Sequence, residues 1–171
     1  GRTLLPDARP LVFGRDAFTN SAAGRLEFLG ENNAASTETT GTLTPTAGAG
    51  RIVASGSGTG SARLTLAALG TRTAGATVDF ATAAGGTIGF AAAPTLANGI
   101  LGPWATVAGA NWATLSGSNV APLASYTDID AQGSTLADNA ATNVRVNAVG
   151  SGGNISLGAA TTSVNTLLQA T

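Results

Sequence analysis

Apolar and polar residues alternate in run after run of this chain, and glycine-containing turns separate the runs. Leu26 and Phe28 alternate within Arg25-Leu26-Glu27-Phe28-Leu29, as do Leu64 and Leu66 within Ala62-Arg63-Leu64-Thr65-Leu66. The same period returns at Val78/Phe80, Val144/Val146 and Ile155/Leu157. A period of two sends one row of side chains inward and the other outward, the pattern of a half-buried β-strand. Further runs of β character are Gly41-Thr42-Leu43-Thr44, Arg51-Ile52-Val53-Ala54 and Gly86-Thr87-Ile88-Gly89-Phe90. Turn signals recur roughly every 9 to 15 residues and helix-period segments are nearly absent, which predicts an all-β fold.

Within that class the choice lies between a sandwich, an antiparallel barrel and a parallel β-helix. A sandwich wants long strands with bulky inward residues from two facing sheets. These runs are short, and Thr, Ala and Asn fill most of their positions. A solenoid needs only small inward layers, because each coil stacks on the next. Thr and Asn also suit the stacked ladders of such a coil. The pattern therefore predicts a single-domain parallel β-helix (solenoid) over residues 25–171, with a β-sandwich as the alternative. Residues 1–24, which hold Arg2, Pro6, Arg9 and Pro10, read as an N-terminal arm or cap. Residues 98–130, which carry both tryptophans, read as a flap or loop excursion from the coil.

Composition narrows the chemistry. The 171 residues include 24 Gly and no Cys, Met or His, a length that suits one domain. Charged residues are 10% of the chain, against about 25% in an ordinary soluble domain. The eight basic residues are all arginine. Lacking His and Cys, the chain has no Ser–His–Asp triad, Cys–His pair, disulfide framework or ordinary zinc or haem site. Without Lys it has no Schiff base and no P-loop lysine. We therefore expect no enzyme activity and no cofactor. A net charge of −1 with scattered arginines gives no footprint for nucleic acid or an anionic membrane. The same near-neutrality weakens repulsion between molecules and favours association. The most apolar stretch, 90–110, is broken by Pro94, Gly99, Gly102, Pro103 and Gly109, so no membrane span is predicted. No basic-then-apolar leader opens the chain, which starts on Gly1 and reads as a processed product or a piece of something longer.

Several residues invite a functional reading, each beside a plainer one. Asp128 and Asp130 fall on one side of an extended strand about 7 Å apart, and paired carboxylates serve glycoside hydrolysis or metal binding. The plainer reading is a solvated loop after Tyr126. Trp104, Trp112 and Tyr126 would make a stacking platform for sugar rings if exposed together. If buried, they would anchor a hairpin packed on the coil, a reading favoured by neighbouring Val107, Leu115 and Val120. Gly56-Ser57-Gly58-Thr59-Gly60 precedes a strand rather than a helix, so a coil corner fits it better than a phosphate loop. Gly150-Ser151-Gly152-Gly153-Asn154-Ile155-Ser156-Leu157 has a passing similarity to calcium β-roll repeats but lacks their aspartate. Asn154-Ile155-Ser156 is the sole glycosylation sequon. Arg63 and Arg72 lie near Asp79 in sequence and are expected to pair with it across the surface.

Glu38-Thr39-Thr40-Gly41-Thr42-Leu43-Thr44, followed by Gly48-Ala49-Gly50-Arg51-Ile52-Val53, resembles the repeats of autotransporter-associated β-strand proteins. The run from Leu64-Thr65-Leu66 to Ala74-Gly75-Ala76-Thr77-Val78-Asp79-Phe80 is similar. Asn98-Gly99-Ile100-Leu101-Gly102-Pro103-Trp104-Ala105-Thr106-Val107, leading to Asn111-Trp112-Ala113-Thr114 and Leu123-Ala124-Ser125-Tyr126, resembles a signature segment of the same large bacterial surface proteins. Ser163-Val164-Asn165-Thr166-Leu167-Leu168 is similar to the start of a further repeat. The resemblance implies a right-handed β-helix passenger exported to the cell surface, with no catalytic residues to carry over.

A β-helix exposes unpaired N–H and C=O groups at each end unless something caps them. The C-terminal end, with Val164, Leu167 and Leu168, carries no Pro or charge and is the expected assembly end. The leading expectation is a structural extracellular protein, a subunit or segment of a surface fibre built by head-to-tail stacking. The alternatives are an adhesin or glycan-binding module using the tryptophan region, and a polysaccharide-active enzyme using the aspartate pair.

Overall fold

A computed structural model of the chain describes residues 7, 9–14, 23–130, 133–147 and 154–170. Among these residues there are strands and no helix. The first eight strands are β1 (Leu11–Phe13), β2 (Ala23–Asn32), β3 (Ala35–Thr40), β4 (Leu43–Pro45), β5 (Ala49–Ser57), β6 (Ser61–Leu66), β7 (Thr77–Ala83) and β8 (Gly86–Phe90). They stack in parallel on three faces. β2, β5 and β7 make one face, β3, β6 and β8 a second, and β1 with β4 a third that Leu69 extends by a parallel bridge to Leu43. Ala23 lies in register with Ala49, and Ala49 with Thr77, so each circuit returns the chain one rung further along.

Alternation in sequence becomes a set of ladders inside the coil. Leu26, Ile52, Phe80 and Val107 occupy one register position on successive rungs. Leu64 sits beside Ile88, and Leu66 beside Phe90. Ile52, Leu64 and Leu66 are fully buried, each contributing about 1.5–3 kcal/mol relative to exposure. Phe80 and Phe90 meet edge-on at 6.4 Å and tie the two large faces together. The first rung breaks the pattern, because Glu38, buried at 4% exposure, holds the position that Leu64 and Ile88 occupy later. Gly24 and Gly50 are register partners against which the Phe13 ring lies, and a Cβ on either would overlap it.

The corners between the two large faces repeat a left-handed residue: Asn33 at φ 57°, Gly58 at φ 58° and Ala84 at φ 44°. The Asn33 side-chain oxygen accepts from the Thr59 N–H at 2.9 Å and the Thr59 hydroxyl at 3.2 Å, fastening one corner to the next. Gly56–Gly60 is thus a coil corner, the plainer of its two readings.

Residues 98–122 of the expected 98–130 excursion close the end of this stack, and Thr127–Asp130 at its far end belongs to the next. β9 (Ala105–Val107) adds a parallel strand to β7, whereas β10 (Asn111–Ser116) and β11 (Asn119–Pro122) run antiparallel. The start of β10 pairs with β9 and its remainder with β11, which pairs in turn with β8. One nine-stranded sheet therefore wraps over the end of the core. Leu101, Ala105 and Ala113 join the core there, and Val107, Leu115 and Val120 pack on it.

Beyond it lie β12 (Thr127–Asp130), β13 (Thr135–Leu136), β14 (Asn139–Asn147), β15 (Ser156–Leu157) and β16 (Val164–Ala170). β12, β14 and β16 stack in parallel, as do β13 and β15. Buried Asn143 joins them to the first stack, donating to the Asn98 carbonyl at 2.8 Å. Its oxygen accepts from Asn165 at 2.7 Å and Thr166 at 3.0 Å. Altogether the stacked parallel strands make a β-solenoid of about five turns, the predicted fold and not the sandwich. Of residues 1–24, positions 11–13 form a rung of the third face; positions 1–6, 8 and 15–22 lie outside the described residues.

Candidate functional site

The two tryptophans come together because a three-residue turn, 108–110, folds the chain back between them. Ala108 and Gly109, with φ 54° and 66°, are the central residues of a β-turn that the Ala110 N–H closes by donating to the Val107 carbonyl at 3.1 Å, and the connection sets Trp112 opposite Thr106. Trp104 stands two residues before Thr106 and so faces the same way. Both indoles are half-buried and line a groove of about 330 Å³ on the outer face of the β5–β7–β9 sheet. Thr77 and Asp79 of β7 and Thr106 of β9 share that face.

Each wall is held from behind. Gly102 lies against the Trp104 indole nitrogen at φ 145°, where a Cβ would strike the ring. The Arg72 guanidinium stands 5.6 Å from the Trp104 ring centre, donating to the Thr73 and Ala76 carbonyls at 3.0 Å each. The Tyr126 hydroxyl accepts from the Trp112 backbone N–H at 3.0 Å. The Trp112 ring nitrogen is closed off and has no acceptor among the described residues.

Asp79 is the groove's only carboxylate. Its Oδ1 accepts from the Thr106 hydroxyl at 2.9 Å and the Gly109 N–H at 2.7 Å. Its Oδ2 lies 3.5 Å from Arg51, the neighbour on the preceding rung. The partner of Asp79 is therefore Arg51, correcting the expected Arg63 and Arg72. Sequence proximity misled because adjacent rungs, a full circuit apart in sequence, are nearest in space. Arg63 instead reaches the Asn119 side chain at 3.3 Å.

The structure divides the expected aromatic trio. Tyr126 does not line the groove; its ring lies 4.9 Å beneath the Arg145 guanidinium. Asp128 and Asp130 sit on β12, a strand rather than a loop, and neither lines the groove. Asp128 makes a two-pronged pair with Arg145 at 2.7 and 2.8 Å, and that hydrogen bonding holds its carboxyl below the usual range. Asp130 accepts from the Ser134 hydroxyl at 2.9 Å. The two carboxylates are thus engaged by different partners. No group of three or more metal-ligating side chains occurs among the described residues.

At the expected assembly end, β16 is an outer strand of its sheet, with Val164 and Leu168 half-buried and Leu167 53% exposed. Asn154 of the sequon is exposed, and Leu157, expected inward, is 60% exposed. The glycine run at 150–153 lies outside the described residues. Reasoning from sequence passed over Thr77, Gly102 and Thr106 as site residues. A usable signal was the repeated Trp-Ala-Thr triplet, whose spacing of eight brackets the turn at 108–110.

Comparisons with protein-family models, with curated proteins and with solved structures returned no match.

Proposed function

We propose that this chain is a structural, extracellular stalk segment whose coils continue from one molecule to the next by head-to-tail β-stacking. The observation that carries this reading is the edge at β16. Among the described residues β16 pairs with β14 alone and leaves its other side open, with Leu167 exposed. Open edges recruit further strands unless they are blunted by charge, proline or a covering element. The opposite end offers a second strand edge among the described residues, because β2 and β3 are the terminal strands of the nine-stranded sheet and β2 carries exposed Leu29. Low charge supports the same role, as does the resemblance of the repeats to bacterial cell-surface proteins.

Negative-stain microscopy across a concentration series tests the proposal. Filaments that lengthen with concentration are expected, and Leu167→Lys, which places a charge on the open strand, should suppress them. A wild-type protein that stays monomeric throughout sinks the idea.

A further inference from the structure

We propose that the groove between Trp104 and Trp112 binds a neutral saccharide unit. This goes beyond the stalk reading and does not depend on it.

The chain has only two tryptophans, and both line one groove at half burial. Trp104 also packs against the core, yet neither tryptophan is fully buried and both line the groove. A pyranose offers what such walls accept, a C–H face for aromatic stacking and hydroxyls around its rim. Polar recognition is in place beside them. Thr106 and Gly109 fix Asp79 through Oδ1, leaving Oδ2, with only the longer Arg51 contact, able to accept from a sugar hydroxyl. Arg51, half-exposed beside it, is able to donate to another. A carboxylate held in advance loses little freedom on binding.

Charge selects among ligands that favour aromatic walls. A quaternary ammonium also sits well between indoles. Here, however, Arg72 already stands over Trp104 and Arg51 already faces Asp79. Those two guanidiniums disfavour an incoming cation, whereas a neutral polyol meets no such penalty.

Because both tryptophans line the groove, intrinsic fluorescence reports it directly. The probes are soluble tetrasaccharides of glucose, galactose, mannose and N-acetylglucosamine, with choline chloride as the cationic contrast. At least one neutral sugar should shift the emission saturably, and choline should not. Trp112→Ala should weaken binding about tenfold or more, and Trp112→Phe should retain most of it. Should Trp112→Ala fail to fold, Thr77→Arg fills the groove from an exposed floor position and should abolish binding with the melting temperature kept. Asp128→Asn, outside the groove, should bind as wild type. The proposal falls if no neutral sugar shifts the emission, if choline alone does, or if Thr77→Arg binds unchanged.

Discussion

Individual residues carry the backbone demands of this coil, and not all are met by the best side chain. Asn33 and Gly58 occupy left-handed corners comfortably, since Asn and Gly tolerate that region. Ala108 does not, yet it stands at φ 54° in the β9–β10 turn, ahead of Gly109 at 66°. Such a turn favours Asn-Gly, and a left-handed non-glycine residue costs about 1–2 kcal/mol. Ala108→Asn should therefore stabilise the protein by about 0.5–1 kcal/mol, read as a higher denaturation midpoint with an unchanged slope. The substituted side chain is exposed, so the gain should come without repacking.

Strands were legible where their inward residues are apolar. β5, β6, β7 and β8 follow directly from Ile52, Leu64, Leu66, Val78, Phe80 and Ile88, because burial of those residues is what selects the strand. β3 shows no such pattern: its inward positions are Ser36, Glu38 and Thr40, and only pairing with β6 makes it a strand. The groove was half legible. The paired Trp-Ala-Thr triplets signalled it, but Asp79 reaches it only through rung stacking, a relation that linear distance hides. Tyr126 was grouped with the tryptophans by proximity; its hydroxyl does bond the Trp112 backbone, but its ring lies against Arg145 and outside the groove.

At the same scale, β12 and β14 are cross-linked by Asp128 and Arg145, register partners joined side chain to side chain. The Asp128 carboxyl is held below its ordinary value in the folded state, so the unfolded chain binds its proton more readily. The stabilisation is present above the ordinary carboxylate pKa and is lost as pH falls through the lowered one. The melting temperature of Asp128→Asn should lie below wild type near neutral pH. That gap should close as the pH drops below about 4. A gap that persists at pH 2 would show that the ion pair is not its source.

The molecule as a whole is unevenly filled. The core cluster runs from Phe13 to Ala113, whereas among described residues after Leu123 only Asn143, Val144 and Thr166 are buried. Regions with little buried apolar surface open at lower free energy than the core. Amide exchange should accordingly be slowest in β5 to β8 and markedly faster in β12 to β16. Equal protection of the two stacks would mean that Asn143 and its partners bind them into one cooperative unit. If the proposed head-to-tail association occurs, it should slow exchange in β16 ahead of β13, since β16 has an open side among the described residues.

The strand reversal at β10 gives the first stack a terminus that is independent of its length. Every parallel rung before it offers the next the same edge, so a further circuit inserted ahead of β7 would leave β7 to β11 with the neighbours they have now, apart from β5 beside β7 and β6 beside β8. The length of the first stack and the groove on it are then separable by gene rearrangement. Repeats can be gained or lost ahead of β7, provided the last inserted rung supplies small residues at Ala49 and Gly50 and a cation at Arg51, while the tryptophan groove travels unaltered with the segment that closes the first stack.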